Sequence, residues 1–388
     1  MRALSGYYLP TVYVGETVRA FVPNPLPPEP PIEWSPSLLG LSQHAMLSIG
    51  RLDGLATLLP DIDQFLYAYI RKEALLSSQI EGTQSSLSEL LLFENEDVPG
   101  VPNEDVIEVS NYVAALEHGL RLLREGFPLS VRLIREIHGV LLAKGRGSEK
   151  QPGEFRTSQN WIGGTRPGNA RYVPPPPDLV PECMGALEKY LHAEPSVAAP
   201  LLKAALAHVQ FETIHPFLDG NGRVGRLLTT FSLCHDGVMK QPLLYLSLFL
   251  KQNRPTYYDL LQRVCTEGVW EEWLAFFFEG AATTADQAAS TVARVIRLFQ
   301  ENQRKIAGLG ATAASATRIH ELLQRYPMLS VKRALSLMPE PLAFATANAA
   351  FKRLVDLGIA EEKTGGARNR VFAYKDYLAI LGEGTEPL

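Results

Sequence analysis

Residues 215–226 read His-Pro-Phe-Leu-Asp-Gly-Asn-Gly-Arg-Val-Gly-Arg. An apolar helical pattern over 196–213 precedes the stretch and another over 223–236 follows it. The stretch therefore delivers a loop to the N-terminus of a helix. Gly220 and Gly222 let the backbone turn and aim N–H groups inward, as an anion-binding nest requires. The helix start adds N–H groups without intrahelical partners and the positive end of the dipole. Arg223 and Arg226 stand on the first turn, where a planar donor fork suits phosphate oxygens. Asp219 is the single carboxylate in this basic nest, the expected partner of Mg²⁺ beside bound phosphates. Asn221 offers a neutral donor for a phosphate oxygen. His215 has a side chain with a reference pKa of about 6.5, suited to proton removal near neutrality. A base, a metal ligand and a phosphate cradle within one short segment are the equipment for attack by a hydroxyl on a nucleotide phosphate.

Taken singly, these features have bland explanations. A lone histidine beside an apolar helix is usually structural, a lone GNG is usually a turn, and arginines on a helix are usually solvated. Together they match the pattern HPFxDGNGRxGR at every fixed position. With each residue type used at roughly 5%, such a coincidence does not arise by chance in one chain.

The segment resembles the full signature of the Fic family. The resemblance extends from about residue 36 to 290. Residues 153–177, GEFRTSQNWIGGTRPGNARYVPPPP, read as a β-hairpin flap with a glycine-rich turn, and they resemble the family's target-docking hairpin. What the resemblance implies is specific. His215, Asn221 and Arg226 would be catalytic, with His215 deprotonating the target hydroxyl. Asp219 would hold Mg²⁺ against the α- and β-phosphates of ATP. Nucleotide contacts would come from Ile162 and Gly163 of the flap, from Gly220, Asn221, Gly222, Arg223, Val224, Gly225 and Arg226, and from Tyr257 and Tyr258 downstream. In phosphate-transferring relatives lysine replaces the first arginine, so Arg223 favours transfer of AMP. The implied reaction moves AMP from ATP to a Ser, Thr or Tyr hydroxyl on a protein docked along about residues 155–173. Self-modification and a homodimer are both compatible with it.

Ser77-Ser78-Gln79-Ile80-Glu81-Gly82 resembles the family's inhibitory motif at Ser77, Glu81 and Gly82. The residues themselves show an oddity. A carboxylate in the last turn of a helix has the wrong sign for the dipole. By the resemblance, Glu81 would pair with Arg226 where the γ-phosphate must bind, giving an autoinhibited enzyme. In some relatives the same glutamate supports removal of AMP, and the residues here do not choose between the two.

The rest of the chain frames this segment. It has 388 residues, 46% of them hydrophobic, enough for two or three cores. With 37 Lys+Arg against 42 Asp+Glu, the whole surface is not a nucleic-acid binder. Cys183, Cys234 and Cys265 form no CxxC pair, which fits a reducing compartment and gives no zinc site. No apolar window reaches 18 residues and no signal peptide is evident, so a cytoplasmic protein without a membrane span is expected. Residues 1–35 read as irregular and proline-rich. Ile62, Phe65, Leu66, Tyr69, Ile70 and Leu76 recur at helical spacing, which predicts a helix over about 61–82. Residues 307–316 read as a small-residue linker. The expected fold is mainly α: an N-terminal extension over 1–100, a helical core with a β-hairpin flap over 101–306, and a winged helix-turn-helix domain over 315–381.

That last segment holds ten Lys+Arg and six Asp+Glu. Lys332, Arg333, Arg368 and Arg370 suit phosphates, but its third helix is rich in alanine, with Asn348 the obvious base reader. DNA binding and protein docking therefore both stay open. A DNA-binding regulator with a nucleotide-sensing core is the competing reading, although a sensor has no need of His215.

Overall fold

A computed structural model describes residues 5–13, 15–59, 62–94, 104–193, 198–364 and 370–387. Strands β1 (Gly6–Tyr13) and β2 (Glu16–Pro23) come first, then α1 (Pro36–Ala56), α2 (Ile62–Ile80), α3 (Leu87–Phe93), α4 (Glu104–Arg124) and α5 (Val131–Leu141). After the flap follow α6 (Val180–Leu191), α7 (Pro200–Ile214), α8 (Asn221–His235), α9 (Ser247–Gln252), α10 (Arg254–Glu267) and α11 (Trp270–Ala307). The chain ends with α12 (Ala313–Arg325), β3 (Met328–Ser330), α13 (Val331–Leu337), α14 (Phe344–Asp356), β4 (Ala360–Glu362), β5 (Val371–Tyr374) and α15 (Lys375–Gly382). Among the described residues no helix is long and apolar enough to cross a membrane.

Contacts group the chain into two compact units, Met1–Gly50 with Asn111–Ala285, and Arg51–Ser110 with Asp286–Leu388. The first is built around α7. Its sequence, PLLKAALAHVQFETI, is apolar on every side, and Leu201, Leu206, Val209, Phe211 and Ile214 are all buried. A helix apolar all round belongs at the centre of a core. Each such side chain contributes ~1.5–3 kcal/mol when fully buried. Lys203, His208, Gln210 and Thr213 on α7 each find a hydrogen-bond partner, as burial demands. Lys203 Nζ lies 2.8 Å from Asp236 and donates to the Leu191 carbonyl at 3.2 Å. Helix α8 packs closely on α7 because Gly225 has no side chain; a Cβ there would meet Glu212 Oε1 at 2.3 Å. Trp273 of α11 is fully buried and donates to the Ala205 carbonyl at 3.0 Å.

In the second unit, β3, β5 and β4 form an antiparallel sheet in that order, with Met328 opposite Ala373 and Ala360 opposite Tyr374. Phe351 of α14 stacks on Phe372 at 4.6 Å, and α14 packs on α12. Helices α12 and α15 also pack on α2. The C-terminal turn is tied to α2 by polar bonds. Gln79 donates to the Thr385 carbonyl and Lys72 to that of Glu383, both at 2.8 Å. Arg370 donates to Asn348 Oδ1 at 2.5 Å and lies 3.5 Å from Glu362. Two groups expected to face DNA are thus engaged with each other. Arg368, expected to suit phosphates, lies outside the described residues.

Several local expectations are corrected. Residues 6–23 are not irregular but an antiparallel hairpin pairing Gly6 with Pro23 and Tyr13 with Glu16. The stretch is rich in Tyr, Val and Thr around Gly15, a strand signal overshadowed by the prolines that follow. The flap expected as a hairpin keeps one bridge, Ile162 to Tyr172, and a 3-10 turn at Pro167–Asn169. Pro167 and Pro174 to Pro177 have no N–H to donate, so a longer ladder cannot form. The small-residue linker holds a 3-10 turn, Gly310–Thr312, and α12 already begins at Ala313. Alanine is the best helix former, so Ala313, Ala314 and Ala316 start the helix inside the expected linker. Helices α3, α9 and α15 were not expected. Helix α3 carries a legible capping box, Ser86 with Glu89.

Candidate active site

The helix α7 ends at Ile214, and His215 caps it in the left-handed conformation, φ 49° and ψ 60°. For a residue with a Cβ this geometry costs roughly 1–2 kcal/mol. A buried arginine from the flap holds it. Arg156, 1% exposed, donates through Nε to the His215 carbonyl at 2.9 Å and through Nη2 to that of Pro175 at 2.5 Å. Longer bonds reach Ile214 and Ser158, each at 3.5 Å, and the Arg156 main-chain N–H donates to Pro216 at 2.9 Å. Burial pulls its pKa down to about 10, which leaves it charged at neutral pH. Arg156 therefore fixes both sides of the turn that presents His215.

The loop after His215 is closed from within. Phe217 is fully buried and stacks on His138 at 3.7 Å, interplanar angle 6°. Asn221, 2% exposed, accepts from the Phe217 N–H at 2.9 Å and donates to the Phe217 carbonyl at 2.8 Å. Asn160 of the flap donates to the same carbonyl at 3.1 Å. The expected phosphate donor Asn221 thus closes the loop in this structure. Gly220 is the N-cap of α8 at φ 78°, a conformation that asks for glycine.

His138 fixes the next residue. Its Nδ1 accepts from the Gly153 N–H at 2.8 Å, which places the ring proton on Nε2, 3.0 Å from the Asp219 carbonyl it donates to. Burial holds its pKa down at about 4, so the ring is neutral. The Asp219 carboxylate accepts from the Gly220 N–H at 2.6 Å and lies 3.5 Å from Arg223 Nη2. Gly147 closes one side, since a Cβ there would meet Asp219 Oδ2 at 2.8 Å. The Asp219 side chain is 38% exposed, whereas that of Arg223 is 3% exposed. Arg223 and Arg226 are both buried on the first turn and a half of α8. The Arg223 guanidinium and the N-terminus of α8 thus flank a solvent-facing carboxylate, with Arg226 buried further along the same helix, which makes an electropositive site with one carboxylate for a hard cation.

His208 supports the site from behind. It bonds the Gly225 carbonyl through Nδ1 and the Tyr257 hydroxyl through Nε2, both at 2.9 Å. Tyr257 is therefore buried, 1% exposed, while Tyr258 is half-buried with Arg254 over its ring at 5.4 Å. Val224 is also buried. Ile162 and Gly163 are exposed at the flap bridge. Ser77, Glu81 and Gly82 belong to the second unit: Ser77 is buried in α2, and Glu81 and Gly82 form the turn after it, with Gly82 at φ 103°. Arg156, His138 and His208 were not singled out in the sequence. His138 lies 81 positions from its partner, so no local spacing reveals it.

Buried neutral histidines make a stability prediction. Burial holds His208 in this unit and His320 in the other at about 4, below the ordinary value near 6.5. Between these values the unfolded chain takes up protons that the folded chain refuses. Stability is therefore full above about pH 6.5 and falls as pH drops toward 4, by up to ~1.4 kcal/mol per pH unit for each histidine. Urea midpoints at pH 7.5, 6.5, 5.5 and 4.5 should fall steadily below 6.5, and His208→Gln should flatten the slope. A constant midpoint from pH 7 to 5 would contradict it.

Residues 39–121 match the Fic/DOC family N-terminal model, and residues 128–233 match the Fic/DOC family model. The chain belongs to the Fic/DOC family. Its Fic segment, 128–233, spans α5, the flap and the α7–loop–α8 motif just described. Over 211 residues, 53% of this chain, it is 32% identical to a protein adenylyltransferase Fic of Culex quinquefasciatus. It is 30% identical over 210 residues to one of Drosophila melanogaster. The chain spans 39% of the length of each of these curated relatives. In fold it is similar to a Fic family protein from Desulfovibrio desulfuricans G20, with a TM-score of 0.58 and 22% identity, over 90% of this chain and 98% of that one.

Proposed function

We propose that this Fic/DOC family chain transfers AMP from ATP to a hydroxyl side chain of a protein. The supporting observation is the segment Ile214–Arg226, where one short loop carries His215 and the exposed Asp219 carboxylate and the start of α8 carries the buried Arg223 and Arg226. His215 takes the proton from the attacking hydroxyl. The hydroxyl oxygen bonds to the α-phosphorus, and the bond from that phosphorus to the bridging oxygen breaks, releasing pyrophosphate. Arg223, Arg226 and the first N–H groups of α8 stabilise the charge on the phosphates, so catalysis is mainly positioning and neutralisation. Asp219 would hold Mg²⁺, because its carboxylate faces solvent and this ion takes one or two carboxylates together with phosphate oxygens. The metal would neutralise phosphate charge. The target docks along the flap.

The same reading includes a brake at Ser77–Gly82, with the Glu81 carboxylate competing with the γ-phosphate of ATP. Label transfer from α-³²P-ATP with Mg²⁺ tests both parts. Glu81→Gly should label itself or lysate proteins at least tenfold more than the unaltered chain. No label from α-labelled ATP, with label from γ-labelled ATP, would replace AMP transfer by phosphate transfer. Equal labelling with and without Glu81 would remove the brake.

A further inference from the structure

The hairpin β1–β2 lies before both family-matched segments, yet its contacts go to the flap. One flank of β2 pairs with β1; on the other, the Phe21 N–H donates to the Val173 carbonyl at 2.8 Å. Beneath this junction Val18 and Ala20 pack on Val173, with Trp161 and Ala170 against them. Phe21 packs with Tyr172 and Cys265. At the far end, Glu16 reaches the 3-10 turn of the flap. It accepts from the Gly168 N–H at 2.7 Å and forms an ion pair with Arg166. Arg166 and the Gly168 N–H hold the Glu16 carboxyl below the usual range. Tyr13 brings its ring to 6.1 Å from that of Trp161.

The flap needs such a support. Its two limbs share one β-bridge, Ile162 with Tyr172, in a segment rich in Gly and Pro. Arg156 and Gln159 tie the root to the Pro175 and Pro174 carbonyls, but beyond that root the bridge works against the conformational entropy of an irregular segment. The hairpin grips the second limb at its root, through Val173, and the turn at the tip, through Glu16. Because β2 flanks the second limb, an extended chain adding to this flap finds its edge only along the first limb, about 160–163, with Ile162 exposed beside it.

We propose that the N-terminal hairpin is a positioning element for the acceptor polypeptide, and that Glu16 clamps the flap so that the acceptor's main chain lies along residues 160–163. The inference rests on the reading that a protein target docks on the flap. Glu16 touches neither nucleotide nor hydroxyl, so its effect falls on the acceptor and not on ATP.

The test uses the full chain with Glu81→Gly, to which Glu16→Ala, Glu16→Gln or Gly168→Ala is added. Gly168→Ala places a Cβ 2.3 Å from Glu16 Oε2 and breaks the clamp from the other side. Hydrogen exchange at the Ile162 and Tyr172 amides should rise at least tenfold with Glu16→Ala, and less with Glu16→Gln, which still accepts from Gly168. The amount of bacterial lysate needed for half-maximal labelling from α-labelled ATP should rise about tenfold. Affinity for a fluorescent ATP analogue should stay within twofold. Unchanged exchange overturns the proposal, as does faster exchange with unchanged half-saturation. If the parent chain labels nothing, the transferase reading fails, and the exchange measurement still decides whether Glu16 holds the flap.

Discussion

Arg156→Leu is expected to lower the melting temperature by about ten degrees and to abolish label transfer. The guanidinium is 1% exposed and serves the carbonyls of His215, Pro175, Ile214 and Ser158. Leucine matches part of the volume but donates nothing. Each buried carbonyl left without a donor costs ~1–3 kcal/mol, and two of the four bonds are short, so a loss of roughly 3–5 kcal/mol follows. For a unit the size of the first one, Met1–Gly50 with Asn111–Ala285, each kcal/mol shifts the midpoint by roughly 2–4 °C. Activity should fail at temperatures where the chain is still folded, because the left-handed turn at His215 loses the group that holds it. Arg156→Lys keeps the charge but reaches fewer acceptors, so its melting temperature should lie between the two. Calorimetry with label transfer at 20 °C decides. A leucine variant that melts within two degrees of the parent and still transfers label would show that the turn is held by something else.

His215→Gly should separate chemistry from stability. In the Glu81→Gly background it should reduce transfer from α-labelled ATP by 10²–10⁴-fold, the usual share of a general base. Its folding stability should change by less than about 1 kcal/mol. Glycine removes the roughly 1–2 kcal/mol of left-handed strain, and its looser unfolded chain offsets part of that gain. The melting temperature and the affinity for a fluorescent ATP analogue should therefore be close to the parent's. Transfer that survives at more than a tenth of the parent rate would remove His215 from the role of base.

The sequence was legible where function and local chemistry coincide. A helix start, two glycines, two arginines and a lone carboxylate stand within residues 215–226, so spacing alone placed them on one loop and one turn. The helices α2, α7 and α8 were legible from their apolar pattern. What stayed hidden rests on distant partners. Arg156 and Asn160 were visible in the flap as residues, but not as the groups that hold His215 and Phe217, some 57 to 59 positions away. Asn221 was visible as a donor, but not as a clasp whose two ends meet one main-chain unit of Phe217.

By itself, then, the sequence determined the chemical set: a base, a carboxylate, two arginines and the glycines that let them share a turn. That much follows from residue types at fixed short spacing. Only the tertiary structure decided how the set is held and how the chain is divided. Residues 51–110 fold with 286–388, and the hairpin at 6–23 supports a flap some 150 positions later. Burial and hydrogen bonding between segments far apart in the chain depend on the closed fold, and no local pattern of residues encodes which distant surface each segment will meet.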